Sequence, residues 1–312
     1  METWDLIIIG AGAAGLTAGI YGARSGLKTL ILEKQLPGGA TIESPWIENY
    51  PGFLSIHGQE LIDKMVAHAT KFGAKINQLE PVVALELRGE KKTIKTSRTT
   101  YEAAAVIITT GTHHRELGVP GEKEFSGRGV SYCALCDGAF FKGKTVMVVG
   151  GGNSAATSAQ ILANLASNVK LVHRRDQLRA EEIILEDLRQ RKVEFLWNTE
   201  VKEIKGDNVV KSVTVVNNKT GEIKEVEVNG VFVQIGETPN SEFAKNAGVN
   251  VDKEGYIIVD SMQRTNIPGV YAAGDVTIHP IKQIGTAVGQ AIVAATDAFG
   301  YIRRPYYYKG KP

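Results

Sequence analysis

The sequence predicts a three-layer α/β fold of the Rossmann-like kind, built twice over, on three observations. Two short apolar runs each lead directly into a glycine-rich turn: Leu6-Ile7-Ile8-Ile9 into Gly10-Ala11-Gly12-Ala13-Ala14-Gly15, and Val146-Met147-Val148-Val149 into Gly150-Gly151-Gly152-Asn153-Ser154-Ala155. Each turn is followed at the same distance by the polar end of a second apolar run, 23 positions from Gly10 to Glu33 and 23 from Gly150 to His173. The length, 312 residues, suits about two domains at roughly 150 residues each.

In the first unit, Leu6–Ile9 suits a strand buried on both faces, and the small and apolar residues up to Arg24 suit a helix. Gly10, Gly12 and Gly15 stand where a dinucleotide turn needs them: the first for the tight turn, the second for backbone approach to a pyrophosphate, the third for close helix–strand packing. The phosphates then sit at the helix N-terminus, where free N–H groups and the dipole favour negative charge. Thr29-Leu30-Ile31-Leu32 forms the second strand and ends in Glu33, an acid placed to accept hydrogen bonds from a ribose.

The second unit keeps the architecture and changes the chemistry. Val169-Lys170-Leu171-Val172 leads into His173-Arg174-Arg175, with Arg179 four positions on. An acid repels a 2′-phosphate, whereas arginine forks bind phosphate bidentately. The inference is a dinucleotide without the extra phosphate at the first turn and NADPH at the second.

Composition narrows the class. The chain carries 36 basic and 34 acidic residues for a net charge of +2, which gives no field to recruit nucleic acid or anionic membrane. Two cysteines exclude a disulfide-dense scaffold and point to a reducing compartment, the cytoplasm. Leu6–Ala23 is uncharged over 18 residues, but five glycines interrupt it and no basic residue precedes it, so neither a membrane span nor a signal peptide is expected. The tail from Arg303 to Pro312 mixes bases and tyrosines and contains no cysteine. It reads as a packed or mobile terminus, not a nucleic-acid contact. No G-x-S-x-G elbow or metal-ligand spacing is present, so no metal is expected.

Both cysteines lie in Cys133-Ala134-Leu135-Cys136-Asp137. Structural zinc is one reading, but it lacks a second cysteine pair; inert buried thiols are another. The third is a redox dithiol, in which one thiolate attacks a partner disulfide and the other resolves the mixed disulfide. Asp137 then gives or takes the proton that each exchange requires. Hydride transfer from a nicotinamide to a disulfide needs an intermediary, and a flavin is able to serve; this makes the first dinucleotide FAD.

With these motifs in place the chain resembles the low-molecular-weight thioredoxin reductase family over essentially its whole length. The resemblance is carried by both glycine turns, Glu48-Asn49-Tyr50-Pro51-Gly52, Thr110-Gly111, Cys133 to Gly138, His173-Arg174-Arg175, Ile235-Gly236 with Pro239-Asn240, and Ala272-Ala273-Gly274-Asp275-Val276. It implies an FAD domain made of residues 1–114 and 244–312, with an NADPH domain of residues 115–243 inserted. FAD is expected at Gly10, Gly12, Ala13, Ala14, Gly15, Glu33, Lys34, Gly39, Ala40, Asn49, Val82, Gly111, Gly274, Asp275, Lys282, Gln283 and Ile284. NADPH is expected at Gly150, Gly152, Asn153, Ser154, His173, Arg174, Arg175 and Arg179. Cys136 is implied to be the thiol nearest the flavin, Cys133 the one that attacks the protein substrate, and Asp137 the acid. The resemblance further implies a homodimer, a thioredoxin or glutaredoxin-like substrate, and rotation of the inserted domain about crossings near His113–Gly118 and Gly236–Asn240.

The chain departs from the family pattern at Ala40, where an amide side chain is usual, at Ile284, and at Thr157 and Ser158, where acids commonly follow the second turn. The first two bear on the flavin, the last on the donor. The alternatives are the same reductase fed by NADH, ferredoxin or a deazaflavin, and a ferredoxin–NADP reductase relative with an incidental C-x-x-C.

Overall fold

The structure, a computed structural model, describes residues 2–44, 46–180, 182–191 and 193–304. The tyrosines and lysines expected at the tail, from 305 onward, lie outside the described residues. The chain divides into two compact units, one of Met1–His113 with Thr238–Pro312 and the other of His114–Glu237.

The first unit runs β1 (Glu2–Ile9), α1 (Ala13–Arg24), β2 (Thr29–Leu32), α2 (Gly58–Lys71), β3 (Lys75–Asn77), β4 (Val82–Glu86), β5 (Lys92–Thr96), β6 (Thr100–Ile108) and then β7 (Thr112–His114). The second contains β8 (Val130–Ser131), α3 (Ala134–Asp137), β9 (Thr145–Gly150), α4 (Asn153–Ala163), β10 (Asn168–Val172), α5 (Glu182–Gln190) and β11 (Glu194–Leu196), followed by β12 (Thr199–Gly206), β13 (Val210–Asn217), β14 (Ile223–Glu227) and β15 (Gly230–Gln234). The chain returns through β16 (Glu237–Pro239) to α6 (Glu242–Asn246), β17 (Val270–Ala272) and α7 (Ile284–Arg303).

In the first unit β3, β2, β1, β6 and β17 pair in parallel, and β4 and β5 add on antiparallel to the first half of β6. Successive side chains of β1 go to opposite faces, as a strand requires. Leu6 and Ile8 join the helical layer with Leu16, Leu61 and Ala291, while Ile7 and Ile9 join Leu85, Ile94 and Val249 on the other side. Burial on both faces is why the run Leu6–Ile9 lacks polar alternation.

The second unit repeats this arrangement. Its parallel sheet runs β11, β10, β9, β15, β8, and β12, β13 and β14 form a separate antiparallel sheet. Val146, Val148 and Leu171 pack with α4 and α5, whereas Met147, Val149 and Val172 meet Val201, Val213 and Val215. Helices, parallel sheet and antiparallel strands therefore make three layers in each unit.

The chain leaves and re-enters the first unit along one ribbon, the two-stranded sheet of β7 and β16. Asn240 N donates to Gly111 O at 3.0 Å at one end, and Arg115 N donates to Gly236 O at 2.9 Å at the other. The contact division falls at 237/238, ahead of the 243/244 expected from sequence. The physical reason is Asn240, whose Nδ2 donates to Thr110 O and whose carbonyl accepts from Thr110 Oγ1, at 2.9 and 2.6 Å.

Candidate active site

The first glycine turn is fixed by its own backbone. Gly10 has φ +108°, the left-handed region that glycine alone enters freely. A Cβ on Gly10 would lie 2.5 Å from Thr109 O, and one on Gly15 would lie 1.8 Å from Gly10 O. Gly12 differs, because a Cβ there would meet nothing nearer than Gly38 O at 3.9 Å. The space above it is open, as a pyrophosphate lying against the backbone requires. Gly12 is also the N-cap of α1 and brings no capping side chain, so first-turn N–H groups remain for an anion. Ala13 and Ala14 are buried in that first turn.

Glu33 is only 9% exposed. Its Oε2 accepts from Ala11 N and its Oε1 from Gln35 N, both at 2.8 Å. Each oxygen retains a second lone pair for a ribose hydroxyl, so these residues fit the adenosine half of FAD. Lys34 stands exposed just beyond. Gly38 N donates to Ala11 O at 2.9 Å, which lays the Gly39 and Ala40 segment beside the turn. Val82 opens β4 after a segment tied to the same loop: Glu80 N donates to Glu33 O at 2.8 Å. The buried Glu80 carboxylate accepts from Thr96 Oγ1, Tyr101 OH and Asn77 Nδ2. Burial, then the bond to Glu80, pushes the Tyr101 hydroxyl up to about 12.

The far side of this site comes from the end of β17. Gly274 has φ +82°, and a Cβ on it would lie 3.1 Å from Ala14 Cβ, so the Gly274–Asp275 turn is seated against the start of α1. Gly274 N donates to the buried Gln290 Oε1 at 2.7 Å. Lys282 Nζ donates to the carbonyls of Asp275 and Thr277. Gln283 caps α7 through a capping box with Thr286, and Ile284 is the first residue of that helix. Asn49 Nδ2 donates to Gln283 Oε1 at 3.1 Å, bringing together two residues 234 positions apart.

At the second turn Gly150 is held as tightly, since a Cβ would lie 2.2 Å from Gln234 O. Gly152, the N-cap of α4, would meet nothing within 4 Å, and Asn153 and Ser154 are exposed beside it. The polar end of β10 is divided. Arg174, Arg175 and Arg179 are exposed, while His173 is 8% exposed with its ring against Gly151, where a Cβ would come 2.0 Å from Cε1. Burial, reinforced by the charges of Arg175, Arg174 and Arg179, holds the His173 pKa below its ordinary value. Its ring is neutral at pH 7, and its Nε2 is buried without a hydrogen-bond partner among the described residues. His173 therefore adds no charge to the basic cluster: it supports the turn, and the arginines supply the charge. Arg179 N ties the cluster to the turn through Gly151 O at 2.7 Å. Of the two departures on α4, Thr157 is exposed whereas Ser158 is 7% exposed, so an acid at 158 would have to be buried.

The two cysteines form a disulfide, with Cα atoms 5.3 Å apart. Cys136 N donates to Cys133 Sγ at 3.1 Å, and Asp137 N donates to Cys133 O at 3.0 Å, which closes the α3 turn around the bond. Burial raises the Asp137 carboxyl above the usual carboxylate range, and a 2.6 Å hydrogen bond from Ser131 Oγ to Oδ2 opposes that shift. An acid whose pKa burial has raised, placed beside a disulfide, suits proton delivery to a departing sulfur. A further chain of contacts leads from the crossing to this loop. His114 stacks on Tyr132 at 4.8 Å, and Tyr132 OH donates to Glu122, whose carboxylate also accepts from Leu117 N and Gly118 N. Ser131, Tyr132, Glu122, Glu80 and Gln290 all lay outside the sequence reading. A serine two residues before a C-x-x-C is the one local signal among them.

Comparison with known proteins agrees with this geometry. The family model described as pyridine nucleotide-disulphide oxidoreductase matches residues 4–291. Thioredoxin reductase of Bacillus subtilis (strain 168) is 46% identical over 303 residues, covering 96% of this chain and 95% of that protein. Among solved structures, thioredoxin reductase from Streptococcus pyogenes MGAS5005 superposes with a TM-score of 0.93 at 43% identity, covering 97% of this chain and 99% of the other. Thioredoxin reductase from Giardia duodenalis does so with a TM-score of 0.91 at 34% identity, over 97% and 100%.

Proposed function

The chain belongs to the pyridine nucleotide-disulphide oxidoreductase family, and from that premise we propose that it is an NADPH-dependent thioredoxin reductase with FAD as its cofactor. The observation that carries this reading is the Cys133–Cys136 disulfide with Asp137 beside it, in a chain that also has one acid-ended and one arginine-ended nucleotide turn. The first turn, Glu33, the Gly274–Asp275 turn and Gln283 hold FAD, which when bound supplies the two-electron relay between a nicotinamide and a disulfide. Gly152 and the N-terminus of α4 take the NADPH pyrophosphate, and Arg174, Arg175 and Arg179 take its 2′-phosphate.

The chain's own residues account for the exchange with substrate. Once the disulfide is reduced, the Cys133 thiolate attacks the substrate disulfide and releases a substrate thiolate, which takes a proton from Asp137. Cys136 then attacks Cys133 in the mixed disulfide, restoring the Cys133–Cys136 bond and freeing the second substrate thiol. The protein substrate is a thioredoxin or a glutaredoxin-like relative. A homodimer, a cytoplasmic location and rotation of the inserted unit about the β7–β16 ribbon belong to the same proposal. Among the described residues no helix is long and apolar enough to cross a membrane.

Anaerobic titration of the flavoprotein with NADPH, followed by addition of candidate thioredoxins, tests the reading. Cys136→Ser is expected to lower disulfide-reducing turnover by about a thousandfold or more, as for the loss of a nucleophile, while NADPH still bleaches the flavin. Intact turnover in that variant would mean that the C-x-x-C is incidental. Faster bleaching with NADH than with NADPH would remove the role given to the arginines.

A further inference from the structure

We propose that Ser131 is the positioning residue for the acid of the dithiol site, fixing the Asp137 carboxyl through Oδ2 so that the transferable proton resides on Oδ1. The inference rests on the reading above that Cys133 and Cys136 exchange disulfides. Ser131 ends β8 and is 5% exposed. Cys133 N donates to its Oγ at 3.1 Å, which sets the oxygen and leaves the hydroxyl proton to be given away. Asp137 Oδ2 receives it at 2.6 Å, while the other acceptor within reach, Cys133 O, is at 3.4 Å. Cys133 is thus bonded to Ser131 through its N–H and to Asp137 through its carbonyl. Acid, serine and attacking sulfur are held as one piece.

The two oxygens of Asp137 then differ. Oδ2 has a donor; Oδ1 is buried and has no hydrogen-bond partner among the described residues. A buried oxygen without a donor is a poor place for negative charge and a good one for a proton. The surroundings of the following residue are apolar, with Leu165, Leu162 and Ile161 nearest to a Cβ built on Gly138. Burial and the Ser131 bond are what act on the carboxyl, with no charged group among the described residues contributing. Removing the hydroxyl takes away the one group that stabilises the carboxylate, so the acid keeps its proton to higher pH.

The test uses the flavin-loaded protein and dithiothreitol, with neither NADPH nor thioredoxin. One dithiothreitol thiolate attacks a sulfur of the Cys133–Cys136 bond. That bond breaks, and its electron pair goes to the other sulfur, which gains a proton from Asp137. The second dithiothreitol thiol then displaces the remaining cysteine and gives it its proton, leaving a cyclic disulfide and two cysteine thiols, while Asp137 regains its proton from the buffer that took up the reagent's first one. Divided by the dithiothreitol thiolate fraction, the rate falls as Asp137 ionises, because a carboxylate repels the arriving charge. In Ser131→Ala this fall is expected about one pH unit higher, the size that loss of one hydrogen bond to a charged group implies. Ser131→Thr keeps the hydroxyl and the wild-type profile. In Asp137→Asn the fall disappears, and adding Ser131→Ala leaves the profile as it is in the single variant. A Ser131→Ala profile that superimposes on wild type overturns the proposal, as does an equal shift in the Asp137→Asn background. Absence of NADPH-driven turnover with thioredoxin would bear on the function above and not on this measurement.

Discussion

The two glycine turns share a strand order and a helix position but store their polarity in different places. At the first, Glu33 is buried and bonded to Ala11 N in the turn and to Gln35 N next to it. At the second, Arg174, Arg175 and Arg179 are exposed and only the neutral His173 lies beneath the turn. A carboxylate held by backbone donors before any ligand arrives suits a cofactor that stays bound, because little reorganisation remains to oppose it. Solvated guanidinium groups suit a nucleotide that must arrive and leave at each turnover, drawn in by charge and released through water. One architecture thus serves residence and exchange, and the difference lies in burial more than in the glycines.

The strongest way to break this comparison is at the glycines themselves. Gly15→Ala puts a Cβ 1.8 Å from Gly10 O and is expected to lower stability by about 3 kcal/mol or more, as severe overpacking does, with loss of flavin on gel filtration. Gly152→Ala meets nothing within 4 Å. Its unfolding free energy should stay within about 1 kcal/mol of wild type, while KM for NADPH rises about tenfold because the methyl group occupies the approach to the pyrophosphate. Similar stability losses in both variants would show that Gly15 and Gly152 do not differ in packing as described.

An effect confined to nucleotide binding sharpens the charge contrast. Replacing both Arg174 and Arg175 by Ala should raise KM for NADPH by about a hundredfold, the scale of losing two hydrogen bonds to a charged phosphate. KM for NADH and the flavin content should be unchanged. A parallel rise for both nucleotides would assign the arginines to a general structural role.

The smallest effect concerns His173. Its folded pKa lies below the ordinary 6.5, so between the two values the unfolded chain binds a proton that the folded chain does not. Stability therefore falls as pH drops below about 6.5, and above that value the group contributes no pH dependence. His173→Gln should flatten this part of the profile in denaturant titrations. Equal slopes for the variant and wild type would mean that the ring protonates in place.

The parallel sheets and their turns were legible because strands buried on both faces need unbroken apolar runs. Thr29–Leu32 is β2 residue for residue, and Val169–Val172 lies within β10. The charge reversal between Glu33 and Arg174–Arg175 was also legible, since it falls at a fixed spacing. The burial of His173 under Gly151, apart from the exposed arginines that follow it, was not legible, because a residue's sequence neighbours do not report its burial. Ser131, Glu80 and Gln290 escaped for a related reason. Their roles come from partners fixed by tertiary packing, such as Tyr101 for Glu80 and Gly274 for Gln290, and single polar residues leave no periodic trace. The unit boundary moved to 237/238 because the bonds of Asn240 to Thr110 pull that stretch into the first unit, a pairing across 130 positions that local sequence does not encode.

The β7–β16 ribbon has a topological consequence. Its strands are hydrogen-bonded neighbours from Gly111 and Asn240 to Arg115 and Gly236, so the insertion begins and ends about 5 Å apart, one strand spacing. To the host sheet the whole of His114–Glu237 is equivalent to a hairpin loop, and a tight turn joining β7 to β16 would close the same gap with far less loop-closure entropy. In folding terms the host's strands β6 and β17 need not wait for the inserted unit to find its own structure. In evolutionary terms a second nucleotide-binding unit can enter a complete first one at this point without breaking a single strand pairing of its parallel sheet.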